Sequence, residues 1–344
     1  MKYRTYPGSD VTVSEVGFGL WTTSTGWWGE KSDDEAVAML HAAHDLGITL
    51  YDAADTYGNG RSEEQLAKAF GDRRERIVYA TKFGYDFANS AQDRRGQAEL
   101  PQDFSPAFVR QALEASLLRL RTDYVDIYQM HNARMAQIDD DALWELLESL
   151  KREGKIRMYG VALGPAIGWL YEGVNAVRRR NAGSLQIIWN VLEQYPGNEQ
   201  IRAAYDAGAD TGYMIRVPHS SGMLEGRYTE NTTFAKNDHR RHRPREWLIN
   251  GLEKVAQLRF LERPDRTLGQ AAIAWLLAEP RVMSVLPNIY DRDQLEEFAA
   301  APEAPPLTAQ DLERMGALYS DNFGIEEPPM AFKGTMTAAE AVEA

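Results

Sequence analysis

The sequence predicts an α/β fold, and of two possible architectures we favour a (β/α)8 TIM barrel over an open, doubly wound sheet. Eight short apolar runs alternate with amphipathic stretches of helical spacing. Several runs are apolar almost throughout, as strands buried on both faces of a parallel sheet are. No Gly-x-Gly-x-x-Gly segment follows the first run, which counts against the doubly wound sheet. The predicted strands are Val16–Trp21, Ile48–Asp52, Ile77–Thr81, Tyr124–Gln129, Ile156–Leu163, Leu185–Trp189, Tyr213–Val217 and Val282–Pro287.

The stretches between these strands carry the signals that begin and end helices. Capping boxes that begin at Ser32, Ser62 and Thr267 predict three helix starts. A Ser-Pro pair at Ser105 predicts another helix start. After Ser32, apolar residues recur at helical spacing as far as Gly47, which is expected to end that helix.

The segments outside the regular β/α units also have recognisable patterns. Tyr3–Val13 predicts an N-terminal β-hairpin that could plug the bottom of a barrel. Two wide spacings, Gly84–Phe104 and His219–Glu246, predict long loops at the carboxyl ends of the strands, where barrels build their sites. We predict a single domain over residues 1–323, followed by a mobile tail over residues 324–344.

Composition narrows the function classes. The 344 residues include no cysteine, which excludes disulfides, thiolate metal sites and a thiol nucleophile. The histidine spacings suit no zinc site, so we expect no metal. The net charge of −13 argues against non-specific binding to nucleic acid or membranes. Neither a signal-peptide core nor a membrane-spanning run stands out, so we expect a cytoplasmic protein, with its oligomeric state left open.

Polar side chains mark the ends of three successive predicted strands. Asp52 ends the second strand, and Tyr57 follows it in the next loop. Lys82 ends the third strand, and His131 ends the fourth. Because neighbouring strand ends converge on one mouth of a barrel, we expect these four side chains to lie together.

These residue types suit proton transfer to a carbonyl oxygen. A tyrosine hydroxyl has a pKa of about 10, and an ammonium group within roughly 4–6 Å lowers it. A carboxylate would keep the lysine charged, and a histidine could orient the substrate carbonyl or relay a proton. The set suits protonation of a carbonyl oxygen while hydride reaches the carbonyl carbon. It does not suit acyl transfer, because no serine lies in a Gly-x-Ser-x-Gly elbow.

Each residue taken alone has a simpler structural explanation. Asp52 could stabilise a turn, Lys82 could form an ion pair at the barrel end, and His131 could be an ordinary hydrogen-bonded polar residue. Asp55, in the loop after the second strand, competes with Asp52 for the catalytic role. Their joint occurrence at three consecutive strand ends favours a catalytic site.

Three segments of this pattern resemble the aldo-keto reductase family. They are Gly47–Glu64, Ala80–Lys82 and Asp126–His131, in matching order along nearly the whole chain. The resemblance implies a TIM barrel, an NAD(P)-dependent oxidoreductase without a Rossmann domain, and carbonyl reduction or its reverse. It also implies a role for each of the four polar residues. Tyr57 is the general acid/base, Lys82 and Asp52 tune its pKa, and His131 orients the substrate.

The resemblance further implies a cofactor, NADP(H) with NAD(H) as the alternative. The implied cofactor-binding residues are Gln186, Arg216, Pro218, Ser220, Gly222, Leu224, Arg292, Gln294 and Glu297. This end departs from the family pattern. Ala162 and Leu163 replace its Ser-Asn pair, and Arg216 replaces the aromatic residue that stacks on the nicotinamide. For Arg216, an ion pair in the barrel mouth is the simpler explanation.

Two further features bear on what the barrel binds. Trp21, Trp28 and Tyr85 are expected to wall the substrate pocket, which favours planar or sugar-like substrates. The basic run Lys236–Arg245 could clamp a pyrophosphate. A non-catalytic relative that binds a nucleotide or a protein partner as a regulator remains the alternative function. A metal-dependent barrel hydrolase or isomerase lacks the ligands it would need.

Overall fold

The computed structural model describes residues 1–87, 99–164 and 169–327. Its centre is one sheet of eight parallel strands, hydrogen-bonded in chain order. Beside the first strand, Val16 forms a parallel bridge with Val285 of the last strand, which closes the sheet into a barrel. The strands are β3 Phe18–Gly19, β4 Leu50–Asp52, β5 Val78–Phe83, β6 Val125–His131, β7 Ile156–Ala162, β8 Ser184–Ile188, β9 Gly212–Arg216 and β10 Val282–Leu286.

The predicted (β/α)8 architecture is confirmed, with small changes at the element ends. The first barrel strand is shorter than predicted, because Trp21 begins a short helix instead of ending the strand. The helices are α1 Trp21–Ser24, α2 Asp33–Asp45, α3 Arg61–Phe70, α4 Pro106–Leu120, α5 Met135–Asp139, α6 Asp141–Arg152, α7 Leu170–Arg178, α8 Gly197–Ala207, α9 Arg245–Leu258, α10 Leu268–Leu277, α11 Arg292–Ala299 and α12 Ala309–Ser320. No helix in the described ranges is both long enough and apolar enough to cross a membrane.

Most of the predicted helix starts are confirmed. The side chains of Ser32, Ser105 and Thr267 accept hydrogen bonds from the first turns of α2, α4 and α10. The predicted capping box at Ser62 is wrong. Gly60, with φ of 95°, takes the N-cap position of α3, and the Ser62 hydroxyl donates to the carbonyl oxygen of Ala54 at 2.9 Å. That bond anchors the loop after β4, where the chemistry is expected.

The N-terminal hairpin plugs the barrel from below, as its sequence predicts. Strands β1 (Tyr3–Thr5) and β2 (Thr12–Ser14) pair antiparallel. The buried hairpin residues Tyr6, Val11 and Val13 pack against apolar side chains from the barrel strands. The other end of the barrel is left to the loops after the strands. Parts of two predicted segments, residues 88–98 of the long loop after β5 and residues 328–344 of the tail, lie outside the described residues.

Candidate active site

A buried ion pair at the carboxyl ends of β4 and β5 is the centre of the site. Asp52 is the last residue of β4, and Lys82 lies on the neighbouring strand β5. The Lys82 Nζ donates to both carboxylate oxygens of Asp52, at 2.7 and 2.9 Å, and to the carbonyl oxygen of Ala53 at 2.7 Å. The Lys82 side chain is only 1% exposed and that of Asp52 only 6%. Each charge therefore depends on the other for compensation.

Two glutamines on the barrel strands complete the surroundings of the carboxylate. The Asp52 Oδ1 accepts hydrogen bonds from Gln186 Nε2 at 2.9 Å and from Gln129 Nε2 at 3.3 Å. Such donors favour an ionised carboxylate. Burial by itself lowers the pKa of Lys82, but Asp52 and then Tyr57 outweigh burial and raise the Lys82 pKa above its ordinary value. The lysine is therefore held as an ammonium ion.

Tyr57 and His131 lie beside this ion pair. The Lys82 Nζ is 4.8 Å from the centroid of the Tyr57 ring. The rings of Tyr57 and His131 meet edge to face, with centroids 6.1 Å apart. Tyr57 is only partly buried, whereas Lys82 is fully buried, so Tyr57 is the group through which a molecule in the mouth can reach the ion pair. The structure thus brings together the four side chains that the sequence singled out.

Asp55 is not the partner of the lysine. It is 2% exposed, and its Oδ1 is buried without a hydrogen-bond partner among the described residues. Its neighbour Glu63 is also buried and forms an ion pair with Arg119 at 2.6 Å. Burial, and then the charge of Glu63, raise the pKa of Asp55 well above its ordinary value. Burial therefore favours the protonated form of Asp55 in the wall of the site.

We expect Asp55→Asn to preserve kcat and to stabilise the protein increasingly as pH rises. An acid whose pKa is raised by folding binds its proton more tightly in the folded state. Wild-type stability therefore falls as pH rises above the unfolded aspartate pKa of about 3.9 and towards the folded value. Asparagine removes this loss. The test is the difference in Tm between variant and wild type, measured from pH 4 to pH 8.

Asp52→Asn provides the contrast for that experiment. It removes the charge that pairs with Lys82, so we expect it to lower both Tm and kcat at every pH in the range. If Asp55→Asn abolished turnover and Asp52→Asn did not, the assignment of the two aspartates would be reversed.

Aromatic rings line one side of the barrel mouth, and we call them the aromatic wall. The backbone N–H of His239 donates to the carbonyl oxygen of Trp27 at 3.0 Å, and this bond joins the loop after β9 to the loop after β3. Ring centroids within the wall are 5.2 to 6.4 Å apart. Two of its members, Trp21 and Trp28, are sequence-predicted pocket residues. The aromatic wall consists of Trp21, Trp27, Trp28, His239 and Tyr290.

Tyr85, the third predicted pocket residue, packs against His131. Its ring meets His131 edge to face, with centroids 5.0 Å apart. Its hydroxyl donates to Glu99 at 2.6 Å and accepts from Asn132 at 2.7 Å. Burial, and then the hydrogen bond to Glu99, raise the pKa of Tyr85 above its ordinary value. Tyr85 therefore holds its proton more firmly than an exposed tyrosine.

The segment after β9 contains four residues with positive φ, and we call it the nest because two of its backbone N–H groups are free to meet an anion. The φ angle is positive, between 46° and 93°, at Val217, Ser220, Ser221 and Gly222. Positive φ at non-glycine residues is costly and clusters at functional sites. The N–H groups of Ser221 and Gly222 have no acceptor among the described residues, and Arg243 Nη2 lies 3.3 Å from the Ser221 Oγ. Free N–H groups beside a cation fit the pyrophosphate of a dinucleotide.

Other sequence-predicted cofactor residues surround this nest. Ser220 and Gly222 belong to it, Pro218 is buried between two of its residues, and Leu224 is buried just after it. Gln186 lies instead in the barrel interior, where its amide group contacts Asp52. Apart from Arg216, the predicted cofactor residues therefore divide between the nest, the ion pair and the helix α11.

The residues on α11 have protein partners of their own. The Gln294 side chain donates to Glu225 at 2.9 Å, and Glu297 forms an ion pair with Arg227. Arg292 is exposed, and its one ion pair within the described residues is with Glu296, one turn further along the helix. Sequence reasoning missed Glu225, whose pKa burial raises to about 7. Its signal was an acidic residue between two glycine-containing turns directly after the nest.

The basic run Lys236–Arg245, which we now call the basic loop, packs against the aromatic wall and also contacts the nest. Arg240 forms an ion pair with Asp238 at 2.6 Å and lies over the ring of Trp28 at 4.4 Å. Its charge is therefore used inside the protein. Arg243 is the residue of this loop that reaches the nest, through Ser221.

Arg216, the last residue of β9, lies at the carboxyl end of the barrel without an ion-pair partner among the described residues. Its Nη2 donates to the carbonyl oxygen of Leu163 at 2.7 Å. Its Nε is buried and has no acceptor among the described residues. Burial lowers the pKa of Arg216, and the nearby Tyr57 and Asp52 partly offset this effect. No carboxylate in the described part of the chain lies within 4.0 Å of the guanidinium, so the simpler ion-pair explanation finds no partner there.

Comparison with known proteins gives consistent matches over most of the chain. The model of the aldo/keto reductase family matches residues 15–320. An uncharacterized oxidoreductase of Bacillus subtilis, YqkF, is 30% identical, covering 92% of this chain and 95% of the relative. The NADH-specific methylglyoxal reductase of Escherichia coli is 28% identical, covering 85% and 91%. The solved structure of a glycerol dehydrogenase from Gluconobacter oxydans is similar, with a TM-score of 0.78, 25% identity, and coverage of 96% and 98%.

Proposed function

The chain belongs to the aldo/keto reductase family of oxidoreductases, and from that premise we propose that it reduces a small-molecule carbonyl to an alcohol, or catalyses the reverse, with Tyr57 as general acid/base. The observation that carries the proposal is the buried Lys82–Asp52 pair beside the half-buried Tyr57. One domain, residues 1–323, holds the whole site. When bound, a reduced nicotinamide supplies hydride to the carbonyl carbon.

The four side chains divide the proton chemistry between them. Tyr57 donates its hydroxyl proton to the carbonyl oxygen, which leaves a phenolate. The Lys82 ammonium lies close enough to stabilise that phenolate, which lowers the energy needed for proton transfer. Asp52 keeps Lys82 charged and fixed in place. His131, packed against Tyr57, orients the carbonyl oxygen towards the hydroxyl.

The residues that would hold the cofactor lie along one side of the mouth. The nest and Arg243 suit the pyrophosphate, and the α11 residues suit the adenosine. We keep NADP(H) as the proposed cofactor, because exposed Arg292 can turn to a 2′-phosphate, and NAD(H) as the alternative. The relative from Escherichia coli, named as NADH-specific, supports the alternative. The proposed residues are Gln186, Arg216, Pro218, Ser220, Gly222, Leu224, Arg292, Gln294 and Glu297.

We expect NADPH or NADH to quench the tryptophan fluorescence in a titration, and we expect the quenching to saturate at micromolar cofactor. The chain has eight tryptophans, and three of them lie in the aromatic wall. Arg243→Met should weaken binding by about tenfold or more, since a charged hydrogen bond contributes about 1.5–3 kcal/mol. Arg241→Met, at an exposed position of the same loop, is the matched control. Binding of neither form by the folded protein would favour the non-catalytic, partner-binding alternative.

A further inference from the structure

Glu225 is a carboxylic acid beside the nest that no cation of the described residues pairs. It ends the single helical turn Met223–Glu225, which directly follows the nest, and its side chain is partly buried. Its Oε2 accepts from Gln294, whereas its Oε1 has no hydrogen-bond donor among the described residues. A partly buried polar oxygen without a donor is unfavourable, so such an atom is suited to accept from a bound ligand.

The cations near Glu225 are engaged by other carboxylates. Arg227 forms an ion pair with Glu297, and Arg240 forms one within its own loop. Burial raises the pKa of Glu225 to about 7, against the hydrogen bond from Gln294 and the charges of the two arginines. The charged and titratable groups that face Glu225 are Arg227, Arg240, Glu297, Tyr228 and Tyr290.

Glu225 lies between the two halves of the proposed dinucleotide site. A Cβ built on Gly222 of the nest would lie 3.4 Å from the Oε1 of Glu225. On the other side, the Nε2 of Gln294 on α11 donates to the Oε2 of Glu225 at 2.9 Å. The nest is the proposed site of the pyrophosphate, and α11 is the proposed site of the adenosine. A dinucleotide that spans both therefore passes its adenosine ribose along Glu225.

We infer that Glu225 is a selectivity residue, which binds the 2′-hydroxyl of the NAD(H) ribose and disfavours the 2′-phosphate of NADP(H). The inference rests on the proposed function and adds to it a residue that opposes Arg292. A carboxylate accepts a hydrogen bond from a ribose hydroxyl, as acidic residues do in other dinucleotide sites. The same carboxylate repels a phosphate, because like charges brought together in a binding site are strongly unfavourable. The balance between Glu225 and Arg292 then sets the relative affinity for the two cofactors.

The experiment measures the ratio of two dissociation constants, Kd for NADPH over Kd for NADH, by the fluorescence titration at pH 8. At that pH most of Glu225 is ionised. Glu225→Gln keeps the shape of the side chain and removes its charge, so we expect the ratio to fall by about tenfold or more. Arg292→Met should move the ratio in the opposite direction. Glu253→Gln, at an exposed position on α9, should leave the ratio unchanged.

A lower pH gives a second test of the same charge. Protonation of Glu225 removes the repulsion, so at pH 6 we expect the wild-type ratio to approach that of Glu225→Gln. The 2′-phosphate itself titrates with a pKa of about 6, but it does so in both proteins, so comparing them at one pH cancels that effect. Identical ratios in the wild type and the variant at both pH values would overturn the inference.

The two dissociation constants also separate this inference from the proposed function. An equal change of both constants in Glu225→Gln would mean that Glu225 contacts a part that the two cofactors share. That result would overturn the selectivity role and leave the reductase proposal standing, because both cofactors would still bind. A folded wild-type protein that bound neither cofactor would overturn both.

Discussion

Replacement of Tyr57 by phenylalanine should lower kcat by about 10²–10⁴-fold, the usual contribution of a positioned general acid. Phenylalanine keeps the ring that packs against His131 at 6.1 Å and removes only the hydroxyl. The Lys82–Asp52 pair does not depend on that hydroxyl for its hydrogen bonds, so the fold and the cofactor site should persist. The measurement is kcat for aldehyde reduction together with the fluorescence titration, which should give an unchanged Kd.

Tyr85→Phe is the matched control for this prediction. The ring of Tyr85 also packs against His131, with centroids 5.0 Å apart. The pKa of Tyr85, however, is raised by burial and by the hydrogen bond to Glu99. It is therefore a poorer proton donor than a tyrosine beside an ammonium group. We expect Tyr85→Phe to change KM more than kcat. Full turnover in Tyr57→Phe combined with loss of turnover in Tyr85→Phe would move the general acid to Tyr85.

The positions of Asp52, Lys82 and His131 were predictable because barrel geometry fixes them. Parallel strands in chain order bring their carboxyl ends to one mouth, so residues at or near the ends of β4, β5 and β6 must become neighbours. Asp52, Lys82 and His131 therefore follow from strand recognition alone. The choice of Asp52 over Asp55 did not follow from strand recognition. It depends on the burial of Asp55 and on the charge of Glu63, which lies on α3 and not at a strand end.

Details that depend on tertiary contacts could not be predicted. The hydroxyl of Ser62 was expected to cap α3, but the positive φ of Gly60 supplies the turn and frees that hydroxyl for the loop after β4. The basic loop looked like a free cluster of charges, whereas Arg240 is held by Asp238 and by Trp28. The Asp238 partner, two residues away, was visible in the sequence. The stacking on Trp28 was not, because it joins two loops far apart in the chain.

Replacement of Lys82 by methionine should have the largest effect on stability. Methionine has similar length and fills the same space, but it leaves the Asp52 carboxylate buried, with its charge uncompensated. Breaking a buried pair by removing one partner costs about 3–5 kcal/mol, and the two glutamine donors at Asp52 place this case towards the lower end. Turnover should also be lost, because no ammonium remains to stabilise the Tyr57 phenolate. The free energy of unfolding in urea measures the first effect, and kcat measures the second.

Lys68→Met is the matched control, because Lys68 also forms an ion pair with an aspartate. Its Nζ lies 2.6 Å from Asp34, but the two side chains are 53% and 91% exposed. Exposed pairs contribute about 0–1 kcal/mol, so this variant should unfold almost as wild type does. The Lys82–Asp52 ion pair then differs from the Lys68–Asp34 ion pair in burial and not in distance. Equal, small losses in the two variants would mean that water reaches Asp52, and the account of Lys82 as a dry, permanently charged partner of Tyr57 would be wrong.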